Sequence, residues 1–143
     1  MSKRKSLLLL CAMAGALLAG CAAPSSPPAA VATLQVSGSV SYRERIALPP
    51  DAEIVVQLQD VSRMDAPAVV LAEQRIRAEG RQVPFVYALP VDPARIDARM
   101  RYTVSARILR GGQLLFINDT AHPVLTQGAG RTADLVLVRT AGR

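Results

Sequence analysis

The stretch Tyr102-Thr103-Val104-Ser105-Ala106-Arg107-Ile108-Leu109-Arg110-Gly111-Gly112-Gln113-Leu114-Leu115-Phe116 decides the fold. Tyr102, Val104, Ala106 and Ile108 alternate with Thr103, Ser105 and Arg107. Successive strand side chains point to opposite faces, so a period of two predicts a strand with one apolar and one wet face. Gly111-Gly112 then supplies two residues that adopt positive φ without strain, as tight hairpin turns require. Leu114 and Phe116 share a face on the return strand. The segment therefore predicts an antiparallel hairpin.

The same period extends outward in both directions. Leu34, Val36, Gly38, Val40 and Tyr42 alternate with Gln35, Ser37, Ser39, Ser41 and Arg43, and Pro49-Pro50-Asp51 ends that strand. Ile54, Val56 and Leu58 alternate with Val55, Gln57 and Gln59. Met64-Asp65-Ala66-Pro67 reads as a turn, Val69, Val70 and Leu71 open a third strand, and Glu79-Gly80-Arg81 is another turn. Phe85, Tyr87 and Leu89 form a short strand between Pro84 and Pro90. Asp92-Pro93-Ala94-Arg95-Ile96 predicts a helical turn, with Asp92 as cap and proline at the first helical position, where its missing N–H costs nothing. Residues 121–131 read as a loop before a last strand over residues 133–139. About seven strands with turns every 8–12 residues predict an all-β domain over residues 33–140. The expected form is a small antiparallel β-sandwich with one short helical turn, and a small barrel is the other closed form.

The start of the chain carries a different signal. Lys3, Arg4 and Lys5 precede an uncharged, mostly apolar run of about 14 residues, too short to span a bilayer, which takes roughly 20. Leu18-Ala19-Gly20-Cys21 follows. A basic start, an apolar stretch and small residues before a cut site make a secretory signal. The cysteine after Leu-Ala-Gly resembles the lipobox of bacterial lipoproteins. In such proteins cleavage falls between the residues matching Gly20 and Cys21, the thiol receives a diacylglycerol, and the new amine is acylated, with palmitate the expected chain. Residues 1–20 are thus expected to be a cleaved signal peptide. Residues 21–32 form a lipidated terminus followed by a Pro/Ser/Ala tether reaching on the order of 30 Å in a polyproline-like form. Ala22, where aspartate would favour inner-membrane retention in enterobacteria, implies the outer membrane.

Cleavage takes all three leader charges with it, so the net charge falls from +6 to +3. The remaining arginines are mixed with acids, as in Arg43-Glu44-Arg45, and no basic run with interleaved aromatics marks a nucleic-acid surface. Cys11 leaves with the leader and Cys21 is the lipid site, so no disulfide is expected. There is no Trp, and the aromatic residues are Tyr42, Tyr87, Tyr102, Phe85 and Phe116, so the core must be largely aliphatic.

Catalytic chemistry is scarce. His122 is the single histidine, with Asp119 three residues away and Asp134 further on. A Ser-His-Asp site needs a serine held against the imidazole and a third group orienting it, and no serine stands in such a context. One histidine is too few for a typical zinc site. Asp51, Asp65, Asp92 and Asp119 stand where turn or cap chemistry favours aspartate. Gly128-Ala129-Gly130 neither follows a strand nor opens a helix, so it is a loop. No enzyme activity, cofactor or metal is expected.

From about Val36 to Arg139 the chain resembles the YscW-type lipoprotein family, which spans type III secretion pilotins and YbaY-like outer-membrane lipoproteins. The matching stretches are Val40 with Leu48-Pro49-Pro50-Asp51-Ala52, then Val56-Gln57-Leu58-Gln59-Asp60-Val61-Ser62, and Pro84-Phe85 with Leu89-Pro90. The most distinctive runs from Gly112 to Thr120, with Pro123-Val124 and Thr126-Gln127-Gly128 after it. The Leu-Pro-Pro-Asp-Ala segment places it nearer the YbaY-like branch. The resemblance implies a small β-sandwich without enzyme activity, and a pilotin role for some members. Three functions are weighed: a lipid-anchored chaperone for an envelope protein such as a secretin subunit; a general envelope-maintenance module with no secretin partner, binding a glycan, a lipid or another envelope protein; and, least favoured, a hydrolase using one of the aspartates named above. Tyr42 and Tyr87 are the aromatic candidates for a glycan site.

Overall fold

A computed structural model of the chain describes residues 32–141. Gly20, Cys21 and the expected leader and tether lie outside the described residues, apart from Ala32. The strands are β1 (Leu34–Tyr42), β2 (Ala52–Asp60), β3 (Val69–Arg77), β4 (Phe85–Val91), β5 (Tyr102–Arg110), β6 (Gln113–Ile117), β7 (His122–Val124) and β8 (Leu135–Arg139). The all-β class is borne out. A single 3₁₀ turn, Pro93–Arg95, stands where the helical turn is expected, and the Asp92 carboxylate accepts from the Ala94 N–H at 2.9 Å.

The hairpin that decides the fold is β5–β6, with Gly111 and Gly112 at φ 54° and 81°. β7 falls within the segment read as a loop. It is three residues long and contains Pro123, so alternation cannot reveal it, yet Tyr102 pairs with Val124 and Val104 with His122. A proline is tolerated there because β7 pairs on one side only and lies off the main path of the sheet.

The strands follow one another in the order β3-β2-β5-β6-β8-β1-β4, antiparallel except for β1 with β8. The sheet curls until its two end strands stand side by side, giving a nearly closed barrel rather than two separate layers. Side chains bridge the seam from β3 to β4 and to the 3₁₀ turn after it. The Ala88 N–H donates to Gln74 Oε1 at 2.8 Å, and Arg95 Nη1 donates to the Leu71 carbonyl at 3.1 Å.

Inward positions follow the period of two. Val36, Val40, Ile54, Val56, Leu58, Leu89, Ile108, Leu135 and Leu137 are buried in an aliphatic core, as the composition requires. Two residues of β2 depart from the simple alternation, because Val55 and Gln57 are buried on the outer face. Val55 is flanked in register by Arg75 and Arg107, whose long stems can cover apolar surface while their heads stay wet. The Gln57 amide donates to Glu73 and accepts from Gln59 and Arg107.

Candidate partner-binding surface

The aromatic candidates are not displayed for a glycan. Tyr87 is 1% exposed, and its hydroxyl donates to the Ala133 carbonyl at 2.6 Å. Burial, with a smaller contribution from the nearby Asp134 charge, pushes its phenol up to about 12. Tyr42 stacks on Phe116 with ring centroids 4.3 Å apart and donates to the Ile46 carbonyl. The Tyr87 shift fixes a sign for alkaline behaviour. In the unfolded chain the phenol loses its proton near pH 10, whereas in the fold it keeps it until about pH 12. The unfolded state thus binds fewer protons between these values, and stability must fall as pH rises through that window. Urea melts at pH 8 and pH 11 should show this loss, and Tyr87→Phe should shrink the difference between them.

Asp51, Asp119 and Asp134 are engaged in structure. Asp51 pairs with Arg110 at 2.9 Å, which holds its carboxyl below the usual range. Asp119 accepts from the Thr120 hydroxyl, and Asp134 accepts from the Ser39 N–H and hydroxyl. Asp65 is exposed in its turn. His122 sits on β7 with its buried Nε2 unpartnered, and neither aspartate bonds to it. Asp97, which the sequence did not single out, is held down to about 2 by hydrogen bonds from Arg99. Such exposed pairs contribute little to stability. Among the described residues no three His, Cys, Asp or Glu side chains gather as a metal site would need.

What the sequence does not reveal is a cavity at one end of the barrel. It is open, about 530 Å³, and lined by Val61, Met64, Tyr102, Ala121, Pro123 and Ala129, with Arg101, Thr103, Thr126 and Gln127 adding polar groups. Binding pockets of this kind are mostly apolar with a few placed polar groups. A second hollow of about 570 Å³ includes Asp51, Glu53, Arg75, Arg77 and Glu79. Arg75 pairs with Glu53 across it, so it is salt-bridged surface and a weaker candidate. The lining of the apolar cavity comes from three separate segments. The β2–β3 loop is held by a bond from the Val61 N–H to the Arg101 carbonyl and from the Arg101 N–H to Ser62 Oγ. The segment after β7 is fixed by the Thr126 hydroxyl on the Met100 carbonyl at 2.8 Å. Met64 stands at the rim 93% exposed, an unusual position for a large apolar side chain.

The end of the barrel that carries this cavity is also the end at which the chain enters. β6 is antiparallel to both β5 and β8, and β8 is parallel to β1, so β1 and β5 run the same way. Leu34, at the start of β1, and Tyr102, at the start of β5, therefore mark the same end.

A family model described as "Type III secretion system lipoprotein chaperone (YscW)" matches residues 31–137. The chain belongs to the YscW family. The lipoprotein YbaY of Escherichia coli strain K12, itself described as uncharacterized, is 48% identical over 103 residues, covering 72% of this chain and 54% of the relative. The chain thus spans about half the length of that curated relative. Among solved structures, an alternative pilotin from the type II secretion system of Vibrio cholerae matches with a TM-score of 0.75 and 46% identity, over 78% of this chain and all of that one.

Read as a YscW-family chain, the distinctive segments act as structural devices. Leu48 of the Leu-Pro-Pro-Asp-Ala stretch is buried, and the Gln82 amide clamps it by accepting from its N–H and donating to its carbonyl. Asn118, in the Gly112-to-Thr120 stretch, accepts from the Ala106 N–H and donates to the Thr120 carbonyl. That bridges β5 to the chain leaving β6.

Proposed function

We propose that this protein is a pilotin-like chaperone of the outer membrane. In this reading Cys21 carries the lipid after cleavage behind Gly20, residues 22–32 are the tether, and the barrel faces the periplasm. The domain covers an exposed segment of a secretin subunit, and the lipid carries the pair to the outer membrane. Two acyl signals give firm attachment where one gives marginal binding.

The likeness to the Vibrio cholerae pilotin carries this reading, because it covers the whole of that chain at 46% identity. Membership in a lipoprotein chaperone family supports it. The glycan version of the alternative loses its basis with Tyr42 and Tyr87 inside the barrel.

The test is crosslinking in living cells, followed by purification of the lipidated protein and identification of its partners by mass spectrometry. A secretin subunit among the adducts supports the proposal. A different envelope protein, or none, refutes it and leaves a general envelope module.

A further inference from the structure

We infer that the end cavity is the docking site for the chaperone's partner, and that its occupant is an apolar protein segment carrying a carboxylate next to its apolar residues. The inference rests on the chaperone reading above and names where and by what chemistry the partner is held.

Three observations carry it. The first is the lining, in which Val61, Met64, Ala121, Pro123 and Ala129 offer apolar surface in one open hollow. The exposed apolar surface continues beyond it at the same end. Val69 and Val70, 56% and 42% exposed, open β3 and pair with Asp60 and Gln59 at the end of β2.

The second observation is charge. Arg101 lines the cavity, and its guanidinium makes no hydrogen bond or ion pair within the described residues. Arg75, Arg99 and Arg110, by contrast, are each paired with a carboxylate. An unpaired guanidinium beside apolar surface complements a carboxylate held at a fixed distance from an apolar side chain, and arginine can grip it with two parallel hydrogen bonds. Arg63 lies between the lining residues Val61 and Met64 and adds a second positive charge; of the two acids nearby in sequence, Asp60 already accepts from the Ser62 N–H and hydroxyl, and Asp65 is exposed in its turn.

The third observation is position. The cavity opens at the end of the barrel where the chain enters β1. An occupant held there lies at the same end of the barrel as Leu34, the first residue of β1. The open shape fits a segment laid across the rim, with one or two apolar side chains inserted.

The experiment places a photocrosslinking amino acid at Met64, on the rim, or at Val86, which is 76% exposed on β4 away from the cavity. It uses the full lipidated chain in cells whose secretin subunit is followed by antibody. Adducts with the secretin from Met64 and not from Val86 are expected. Arg101→Glu should lower the Met64 yield at least tenfold, whereas Arg101→Lys should keep most of it. The thermal melt of both variants should match the parent, since the Arg101 side chain makes no hydrogen bond or ion pair among the described residues. Adducts from Val86 but not Met64 overturn the docking site while leaving the chaperone reading standing. Adducts from Met64 only to lipid, or only to a second copy of the chain, overturn the inferred occupant. An unchanged yield with Arg101→Glu overturns the carboxylate. No secretin adduct from either position, together with no secretin in the in-cell crosslinking of the parent chain, refutes the chaperone reading itself.

Discussion

Replacing Gly38 with valine is expected to lower the melting temperature by more than about 10 °C, or to prevent folding altogether. A Cβ at this position would lie 1.9 Å from the Ala133 carbonyl oxygen and 2.9 Å from Tyr87 Oη. Neither atom is free to move. The Ala133 carbonyl accepts the Tyr87 hydroxyl, and the Ala133 N–H donates to the Ser37 carbonyl at 3.0 Å. Tyr87 pairs with Gly38 across the β1–β4 ladder, so the missing side chain makes room for the phenol. Overpacking costs about 1–3 kcal/mol when side chains can shift, and more when they cannot. Each kcal/mol moves the midpoint of a domain this size by about 4 °C or more. The control is Gly130→Ala, where an added Cβ meets nothing within 4 Å and φ is not in the left-handed range. Thermal circular dichroism on the two variants should separate them clearly, and equal midpoints would contradict the packing at Gly38.

The second large effect concerns location rather than stability. Cys21→Ser removes the thiol that the proposal makes the lipid site. Most of the protein should then move from the membrane fraction to the soluble periplasm, because attachment rests on the acyl chains. The barrel should fold as before, since Cys21 precedes its first strand. Cell fractionation with an antibody to the domain measures the shift. A mutant that stays in the membrane fraction would show that something other than this cysteine holds the protein there.

Much of the fold was legible because a half-buried strand declares itself by a period of two. Leu34 to Tyr42, Tyr102 to Ile108 and the Gly111-Gly112 turn are such cases, where local pattern and tertiary burial agree. The three-residue β7 was not legible, because Pro123 and its length leave no period to read. The buried outer-face pair Val55 and Gln57 was also hidden. Their burial depends on Arg75, Arg107 and Glu73, which only strand pairing brings alongside.

The choice between barrel and sandwich turns on whether the end strands meet. That shows in Gln74 of β3 reaching Ala88 of β4, and in Arg95, in the turn after β4, reaching Leu71 of β3, contacts between elements at the two ends of the sheet order. The candidate site was the least legible part. Residues 61–64, 101–103 and 121–129 each look like ordinary strand ends and loops, and their apolar side chains acquire meaning only when the barrel gathers them. One local signal existed: Met64, a large apolar residue in the turn between two strands. His122 and the aspartates are chemical residue types, but the fold uses the aspartates mainly in caps and surface pairs.

The most direct test of the account is the location of secretin multimers in cells that carry the intact chain, the Cys21→Ser chain or no chain. Multimers are expected in the outer-membrane fraction only with the intact chain, and mislocalised or unassembled secretin in the other two. Multimers in the outer membrane of all three strains would contradict it.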